Sequence, residues 1–307
     1  MLIFPQSEID FPINNIQHPA VFIIGIDGIG NLPQIVDTPG IHRIINNGVY
    51  SFDAQTVYPS LSAECWTSLL HGVRPEKHEI RSIGGLFIFK RKRPPFPLSS
   101  QYPSIFRLMH EKDNRSKMAS FSNWEDINEY IIEDGINVHK YYSGSEKRLV
   151  DKFEKYMRTN DPWLVFFHLD DTDEVGHGYG FFSNEQKKQL MKTDKTVSRI
   201  IDIIEKYDIN NESLILVLSD HGGGGDYYSE NGMARPSFIC EKCVHGSGDP
   251  IDMTIFWTAR GKGICKSKKI EHQVSILDTA KFVASYLKLK IPETWDGYDL
   301  YPELQCQ

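Results

Sequence analysis

The sequence lacks the features that mark membrane, secreted and repetitive proteins. No apolar run approaches the ~20 residues that a bilayer-spanning helix requires. The N-terminal stretch MLIFPQSEID has neither the basic flank nor the small-residue cleavage site of a signal peptide. The chain also has no internal repeat and no low-complexity segment. These absences predict a globular, cytoplasmic chain with no membrane partner.

Cysteine is scarce as well, and acidic residues outnumber basic ones. Five cysteines in 307 residues, an odd and scattered number, favour reduced thiols over a disulfide framework. Cys240 and Cys243 form one C-x-x-C without a second pair to complete a zinc knuckle, so their role stays open. The formal net charge of −7 argues against a nucleic-acid polymer as partner. The run KRKR at 90–93 is interpreted as a solvated loop.

Short apolar runs recur along the chain and predict strands. The clearest are VFIIGID (21–27), WLVFFHLDD (163–171) and SLILVLSD (213–220), and KMASFS (117–122) is weaker. Continuous runs of this length are typical of strands buried on both faces, as in a parallel sheet covered by helices.

Segments with helical periodicity lie between and after these runs. Apolar positions fall on one side over 146–157, 185–207 and 275–287, and Ser183 with Gln186 resembles a capping box. Alternating strands and helices predict an α/β fold, with a mostly parallel central sheet flanked by helices on both faces.

The length of the chain favours one large domain over residues 1–307. Within it, the segment 80–116 is rich in loops, with RPPFPLSSQYP at its centre. We expect this segment to form a small insertion or cap over the sheet. The single-domain interpretation rests on the absence of a linker that would divide the chain.

Acidic side chains and histidines follow three of the predicted strands. Asp27 closes the first, Asp173 and His177 follow the second, and Asp220 and His221 close the third. Ligands of open α/β sheets bind beyond the carboxyl ends of the strands. Carboxylate and imidazole together suit zinc or manganese. One such aspartate alone would be read as a helix cap or turn residue, but three strand ends together predict a metal site.

A candidate nucleophile lies in TVYPSLSAECWTSLLH, where Ser62 precedes a predicted helix. Serine is a favoured N-cap and needs no catalytic role to stand there. The same position would also place a hydroxyl near the free amide groups and positive dipole of a helix N-terminus, where a phosphate binds well. Local sequence leaves both interpretations open.

The order of these motifs resembles the alkaline phosphatase superfamily, and most closely its nucleotide pyrophosphatase/phosphodiesterase branch. The resemblance covers roughly residues 20–300. The motifs that carry it are Asp27, P-S-L-S ending at Ser62, D-x-x-x-H at Asp173 and His177, S-D-H-G at 219–222 and H-G at 245–246.

The resemblance implies two divalent cations, with zinc preferred over manganese. It assigns one site to Asp173, His177 and His245, the second to Asp27, Asp220 and His221, and the bridging nucleophile to Ser62. This sequence departs from the family pattern at Ala63, Glu64 and Cys65, since relatives often have an asparagine shortly after the nucleophile. The sulfatase pattern C/S-x-P-x-R is absent at Ser62 and Cys65.

The implied activity is hydrolysis of a phosphodiester or pyrophosphate bond in a small substrate, through a phosphoryl- or nucleotidyl-serine at Ser62. A phosphomonoesterase or phosphate mutase on the same scaffold is the alternative. A non-catalytic nucleotide-binding protein is a third interpretation, because GIDGIGN (25–31) resembles a dinucleotide loop, although Pro33 stands where the motif requires glycine. The sequence predicts neither the leaving group nor the oligomeric state.

Overall fold

The computed structural model describes residues 16, 18–80, 101–208, 211–230, 232 and 240–306. The strands in these ranges are β1 Val21–Ile26, β2 Val49–Gln55, β3 Lys117–Ser122, β4 Val138–Tyr142, β5 Pro162–Leu169, β6 Leu214–Ser219, β7 Thr254–Arg260 and β8 Lys268–Lys269. They form one eight-stranded sheet in the order β4-β3-β5-β1-β6-β7-β2-β8. Among these strands only β7 is antiparallel to its neighbours, which confirms the mostly parallel sheet.

Strand β1 lies near the centre of the sheet, and its position explains its unbroken apolar sequence. All six of its residues are buried. Successive side chains of a strand point to opposite faces. Val21 and Ile23 therefore pack into the core on one face, whereas Phe22 and Ile24 pack into the core on the other. The interpretation of these runs as strands covered on both sides is confirmed.

The helices in the described ranges cover both faces. They are α1 Pro39–Ile45, α2 Ser62–His71, α3 Pro75–His78, α4 Ile105–Lys112, α5 Glu146–Met157, α6 Asp171–Tyr179, α7 Asn184–Tyr207, α8 Tyr227–Glu230, α9 Pro250–Met253, α10 Asp278–Tyr286 and α11 Tyr301–Leu304. Apolar residues of α1, α5 and α7 belong to one core; those of α2, α4 and α10 belong to the other. The three helices predicted from periodicity correspond to α5, α7 and α10.

The register of the sheet brings the strand ends together. Strands β5, β1 and β6 are adjacent and parallel, and Ile26 at the end of β1 lies opposite Leu169 of β5 and Ser219 of β6. The residues that follow these three positions therefore leave the sheet at the same level. This edge carries the acidic motifs found in the sequence.

Two disulfides overturn the expectation of reduced thiols. Cys240 is bonded to Cys243, and Cys265 is bonded to Cys306, while Cys65 is free and buried. The second pair is separated by 41 residues in sequence, and only the docking of the C-terminal segment brings its members together. The C-x-x-C thus forms a local cross-link, so its two sulfurs do not serve as zinc ligands in this structure. A cytoplasmic location stays a prediction.

The proposed insertion over 80–116 lies largely outside the described residues, since 81–100 belong to the gap. Its described end contains α4, which packs its apolar side chains into the core beside α2. The single-domain assignment stays a prediction. In the part of the chain that the structure describes, no helix is both long enough and apolar enough to cross a membrane.

Candidate active site

Asp27, Asp220 and His221 form what we call the inner cluster. One ligand atom of each lies within 4.8 Å of the others. The Nε2 atom of His221 is 3.2 Å from Asp27 Oδ1 and 3.3 Å from Asp220 Oδ2. Ser62 stands over this cluster, because its Oγ lies 3.0 Å from His221 Nε2 and 3.4 Å from Asp27 Oδ1. The structure therefore brings the proposed nucleophile against one proposed metal site.

Asp173, His177 and His245 form the outer cluster, again with ligand atoms within 4.8 Å of one another. Asp173 and His177 lie one turn apart on α6, and His177 Nε2 is 3.2 Å from Asp173 Oδ2. The imidazole of His245 stacks on that of His221, with ring centroids 3.8 Å apart and an interplanar angle of 11°. The inner and outer clusters are therefore immediate neighbours, as a pair of cations acting on one substrate requires.

The three histidines share a hydrogen-bonding arrangement that prepares them as ligands. Each Nδ1 contacts a backbone carbonyl oxygen: Cys243 O at 2.9 Å from His177, Gly222 O at 2.6 Å from His221 and Ser60 O at 2.8 Å from His245. A carbonyl oxygen can only accept, so each Nδ1 donates its proton and the lone pair of the neutral ring is at Nε2. Metal-binding histidines are oriented by such contacts.

Two carboxylate oxygens also indicate that the clusters could hold metal ions. Asp173 Oδ1 and Asp220 Oδ2 are buried and have no hydrogen-bond partner among the described residues. A buried, unsatisfied acceptor is costly unless another group supplies positive charge. Together with the three Nε2 lone pairs, these oxygens fit divalent cations with mixed nitrogen and oxygen ligands.

Gly28 allows the two clusters to approach each other. A Cβ atom at this position would stand 2.2 Å from Asp173 Oδ1, and the backbone has a positive φ of 67°. The amide of Gly28 also donates to Asp220 Oδ1 at 3.1 Å. Glycine is therefore required both for the turn and for the space. In the sequence, this glycine is marked only by the likeness of GIDGIGN (25–31) to a dinucleotide loop.

Burial and proximity give the inner cluster unusual acid–base properties. Burial, reinforced by the negative charge of Asp27, raises the pKa of Asp220 well above its usual range. Burial acts the same way on Asp27, but His168 and His221 outweigh it and hold that pKa well below its usual range. Against the effect of burial, the two carboxylates raise the pKa of His221. The cluster thus retains a proton where a divalent cation would otherwise supply positive charge.

The pKa values of the two histidines in the outer cluster are shifted in opposite directions. Burial and the nearby His221 lower the pKa of His245 to about 3, which keeps its ring neutral. Burial also acts to lower the pKa of His177, but the Asp173 carboxylate outweighs it and raises this pKa to about 8. A cation would have to displace the proton of His177 in order to bind there.

Two residues that the sequence analysis missed hold Asp27 in place. His168 Nε2 is 2.8 Å from Asp27 Oδ2, and the indole Nε1 of Trp66 donates to the same oxygen at 2.9 Å. Both side chains are fully buried. Because Oδ2 is engaged in this way, Oδ1 faces Ser62 and His221. A histidine within the apolar run WLVFFHL was the available signal, since a buried polar side chain requires a partner.

Ser62 is the first residue of α2, and the N-cap is Leu61, without a side-chain cap hydrogen bond. The structural alternative for Ser62, an N-cap serine, is therefore wrong. The hydroxyl points at the inner cluster from the amino end of a ten-residue helix. Its roles as nucleophile and as metal ligand stay predictions, as do the metal-binding roles of the six cluster residues.

Comparisons with known proteins identify relatives of this chain. The family model described as type I phosphodiesterase / nucleotide pyrophosphatase matches residues 21–293. Family member 7 of the ectonucleotide pyrophosphatase/phosphodiesterases of Rattus norvegicus is 24% identical over 243 residues, covering 72% of this chain and 54% of the relative. Family member 1 of the same organism is 26% identical over 238 residues, covering 71% of this chain and 25% of the relative. The chain thus spans about half the length, or less, of these relatives.

A solved structure shares the fold over nearly the whole chain. It is an inactive variant of murine ectonucleotide pyrophosphatase/phosphodiesterase 5 in complex with AMP, with a TM-score of 0.72 and 16% sequence identity, covering 94% of this chain and 100% of that one. This likeness confirms the α/β fold, and the family match carries the assignment. The chain belongs to the type I phosphodiesterase/nucleotide pyrophosphatase family.

Proposed function

We propose that this protein hydrolyses phosphodiester or pyrophosphate bonds of small, nucleotide-like substrates, with Ser62 as nucleophile. The observation that carries the proposal is the position of the Ser62 hydroxyl, 3.0 Å from His221 Nε2 and 3.4 Å from Asp27 Oδ1. This hydroxyl contacts the ligand atoms of the inner cluster and lies at the amino end of a helix. A hydroxyl in such a position is suited to attack an anionic phosphorus centre. The AMP held by the murine structural neighbour supports a nucleotide-like substrate.

The inner cluster and the outer cluster would each hold one divalent cation, with zinc the first candidate and manganese the second. Bound there, the two cations would lower the pKa of the Ser62 hydroxyl and offset the charge on the leaving oxygen. Ser62 Oγ would lose its proton to water and form the new bond to phosphorus, while the leaving oxygen departs with the electrons of the broken P–O bond and takes up a proton from water. Water then attacks the phosphoryl- or nucleotidyl-serine, which releases the second product and restores the hydroxyl.

The first experiment replaces the nucleophile. We expect Ser62→Ala to lower kcat on a bis-aryl phosphate by at least about a thousandfold, because the covalent route is lost. Its metal content should equal that of the wild type, because six other side chains provide the ligands. Ser68→Ala is the matched control, since Ser68 lies on the same helix and bonds His78 instead. Full hydrolysis by Ser62→Ala would exclude the serine mechanism.

The second experiment separates the diesterase from a phosphomonoesterase on this scaffold. We expect a larger kcat/KM for bis(4-nitrophenyl) phosphate than for the dianion 4-nitrophenyl phosphate. Three carboxylates and a serine alkoxide would balance two divalent cations, so the clusters offer little excess positive charge for a dianion. A reversed preference would identify the monoesterase, and absence of both activities in zinc- or manganese-loaded protein would contradict hydrolysis.

A further inference from the structure

A cavity of about 610 Å³ lies at the opposite end of the sheet from the two metal clusters. Its walls come from the amino ends of β3 and β4, from α5 and from the loop that precedes β5. The eight-residue strand β5 connects the two ends of the sheet, and at ~3.3 Å per residue they are about 25 Å apart. A molecule in this cavity would therefore not touch the candidate active site.

The cavity is lined by four basic side chains and by no acidic one. These are Arg115, Lys117, Lys152 and Lys155. Arg115 is exposed and is paired with Asp113, whereas the amine of Lys117 donates to the carbonyl oxygen of Thr159, a lining residue, at 3.4 Å. Gathering like charges costs free energy unless an anion neutralises them. The cavity thus carries a local excess of positive charge in a chain whose net charge is −7.

The acidic residues of α5 do not offset the lysines of the cavity. Asp151 is paired with Lys147 at 2.6 Å and with Arg199 at 3.0 Å. Glu154 lies 3.8 Å from Arg158. Among the described residues, the lysines of the cavity form no ion pair with these carboxylates. The Nζ atom of Lys152 lies 5.3 Å from the centroid of the Tyr141 ring, a contact that does not neutralise its charge for a ligand.

One wall of the cavity is aromatic. The imidazole of His139 stacks on the ring of Tyr156, with centroids 5.2 Å apart and an interplanar angle of 19°. Burial and the positive charge of Lys152 lower the pKa of His139, so this ring is neutral near pH 7. A neutral, flat wall beside a set of cations suits a ligand that carries both a ring and negative charge.

We propose that this cavity binds a phosphorylated small molecule of about nucleotide size, with the phosphates on Lys117, Lys152 and Lys155 and the ring system against His139. Its volume is within the range of about 300–1,000 Å³ that small-molecule sites occupy. Lysine ammonium groups bind phosphate by charge-assisted hydrogen bonds. The site is separate from the clusters and does not depend on their metals.

Calorimetric titration of metal-loaded Ser62→Ala protein with inorganic pyrophosphate tests the phosphate part. We expect two binding events, of which one disappears or weakens at least about tenfold when Lys152→Gln and Lys155→Gln are added. Lys188→Gln with Lys195→Gln is the matched control, because both lysines are exposed, lie on α7 and do not line the cavity. Unchanged stoichiometry and affinity in the cavity variant would overturn the proposal. So would a single binding event in the parent protein that Asp220→Asn abolishes.

The same titration with AMP tests the ring part. We expect His139→Ala to weaken the cavity event for AMP by a few fold, in the range of one aromatic contact, and to leave pyrophosphate binding unchanged. Equal effects on both ligands would contradict a ring contact at His139. Circular dichroism of each variant establishes that it is folded before the titrations are compared.

Discussion

The inner and outer clusters use the same kinds of ligand in different surroundings. The inner side chains are at most 1% exposed, whereas the side chain of His177 in the outer cluster is 46% exposed. The inner cluster offers two carboxylates and one imidazole, and the outer cluster offers one carboxylate and two imidazoles. The affinity for a cation rises with the negative charge of its ligands and with their desolvation. The rate at which the cation exchanges rises with the exposure of the site to solvent. We therefore expect the inner cation to be held as part of the fold and the outer cation to exchange.

Ligand replacement should separate the clusters most strongly. We expect Asp220→Asn to lose the inner cation and to lower kcat by about a thousandfold, since a metal ion supplies several kcal/mol of transition-state stabilisation. His177→Ala should keep the inner cation and lose activity that added metal partly restores, because its site is open to solvent. Metal content by mass spectrometry, with kcat at graded metal concentrations, provides the measurement. The comparison fails if His177→Ala loses both cations and Asp220→Asn keeps both.

The support behind the inner cluster should have the next largest effect. His168→Leu removes a donor from Asp27 Oδ2, and we expect a 10- to 100-fold loss in affinity for the inner cation, as for other residues that orient metal ligands. His168→Gln keeps an N–H donor and should restore much of the affinity. Competition with a chromogenic chelator measures both variants. Equal losses in the two would show that His168 only fills space.

Trp66→Phe tests the other donor to Asp27. It removes the second donor to Asp27 Oδ2 and preserves most of the aromatic packing. We expect a smaller loss of affinity for the inner cation than in His168→Leu, and no effect on the outer cation. A loss confined to the outer cation would show that Asp27 does not belong to the inner site.

The packing behind the outer cluster should affect the free energy of unfolding, and this effect should depend on pH. Glu146, at the start of α5, accepts from the hydroxyl of Thr193 at 2.8 Å, and burial with the charge of Asp171 raises its pKa from 4.5 to about 7. The folded state binds this proton more tightly than the unfolded chain does. The full contribution of Glu146 to stability is therefore present below pH 4.5 and falls as pH rises to about 7, by about 3 kcal/mol.

Glu146→Gln should remove this dependence, because the amide oxygen can still accept from Thr193 and carries no charge. We expect the variant to match the wild type near pH 4.5 and to be more stable by about 2–3 kcal/mol at pH 8. Urea denaturation at the two pH values measures the difference, and Glu185→Gln, on the first turn of α7, is an exposed control. If the difference in the free energy of unfolding between variant and wild type is constant across pH, the pKa of Glu146 does not differ between the folded and unfolded states.

The sequence was sufficient for the strands that form the centre of the sheet. Residues 21–27, 163–171 and 213–220 have apolar runs because their strands are buried on both faces, and such runs have few alternative structures. It was also sufficient for the order of the site residues, because Asp27, Asp173 and Asp220 each follow such a run. His245 depended on the family resemblance, since no periodic pattern marks the loop that carries it.

Other features follow only from the tertiary structure. The role of His168 depends on the adjacency of β5 and β1, which places its ring against Asp27 from a position 141 residues away in sequence. The disulfide between Cys265 and Cys306 depends on the docking of the C-terminal segment, and an odd cysteine count gave no sign of it. The sequence by itself determined which side chains stand at the strand ends, through local hydrophobic pattern. The tertiary structure decided which of them meet, because strand order and register are set by contacts between distant parts of the chain.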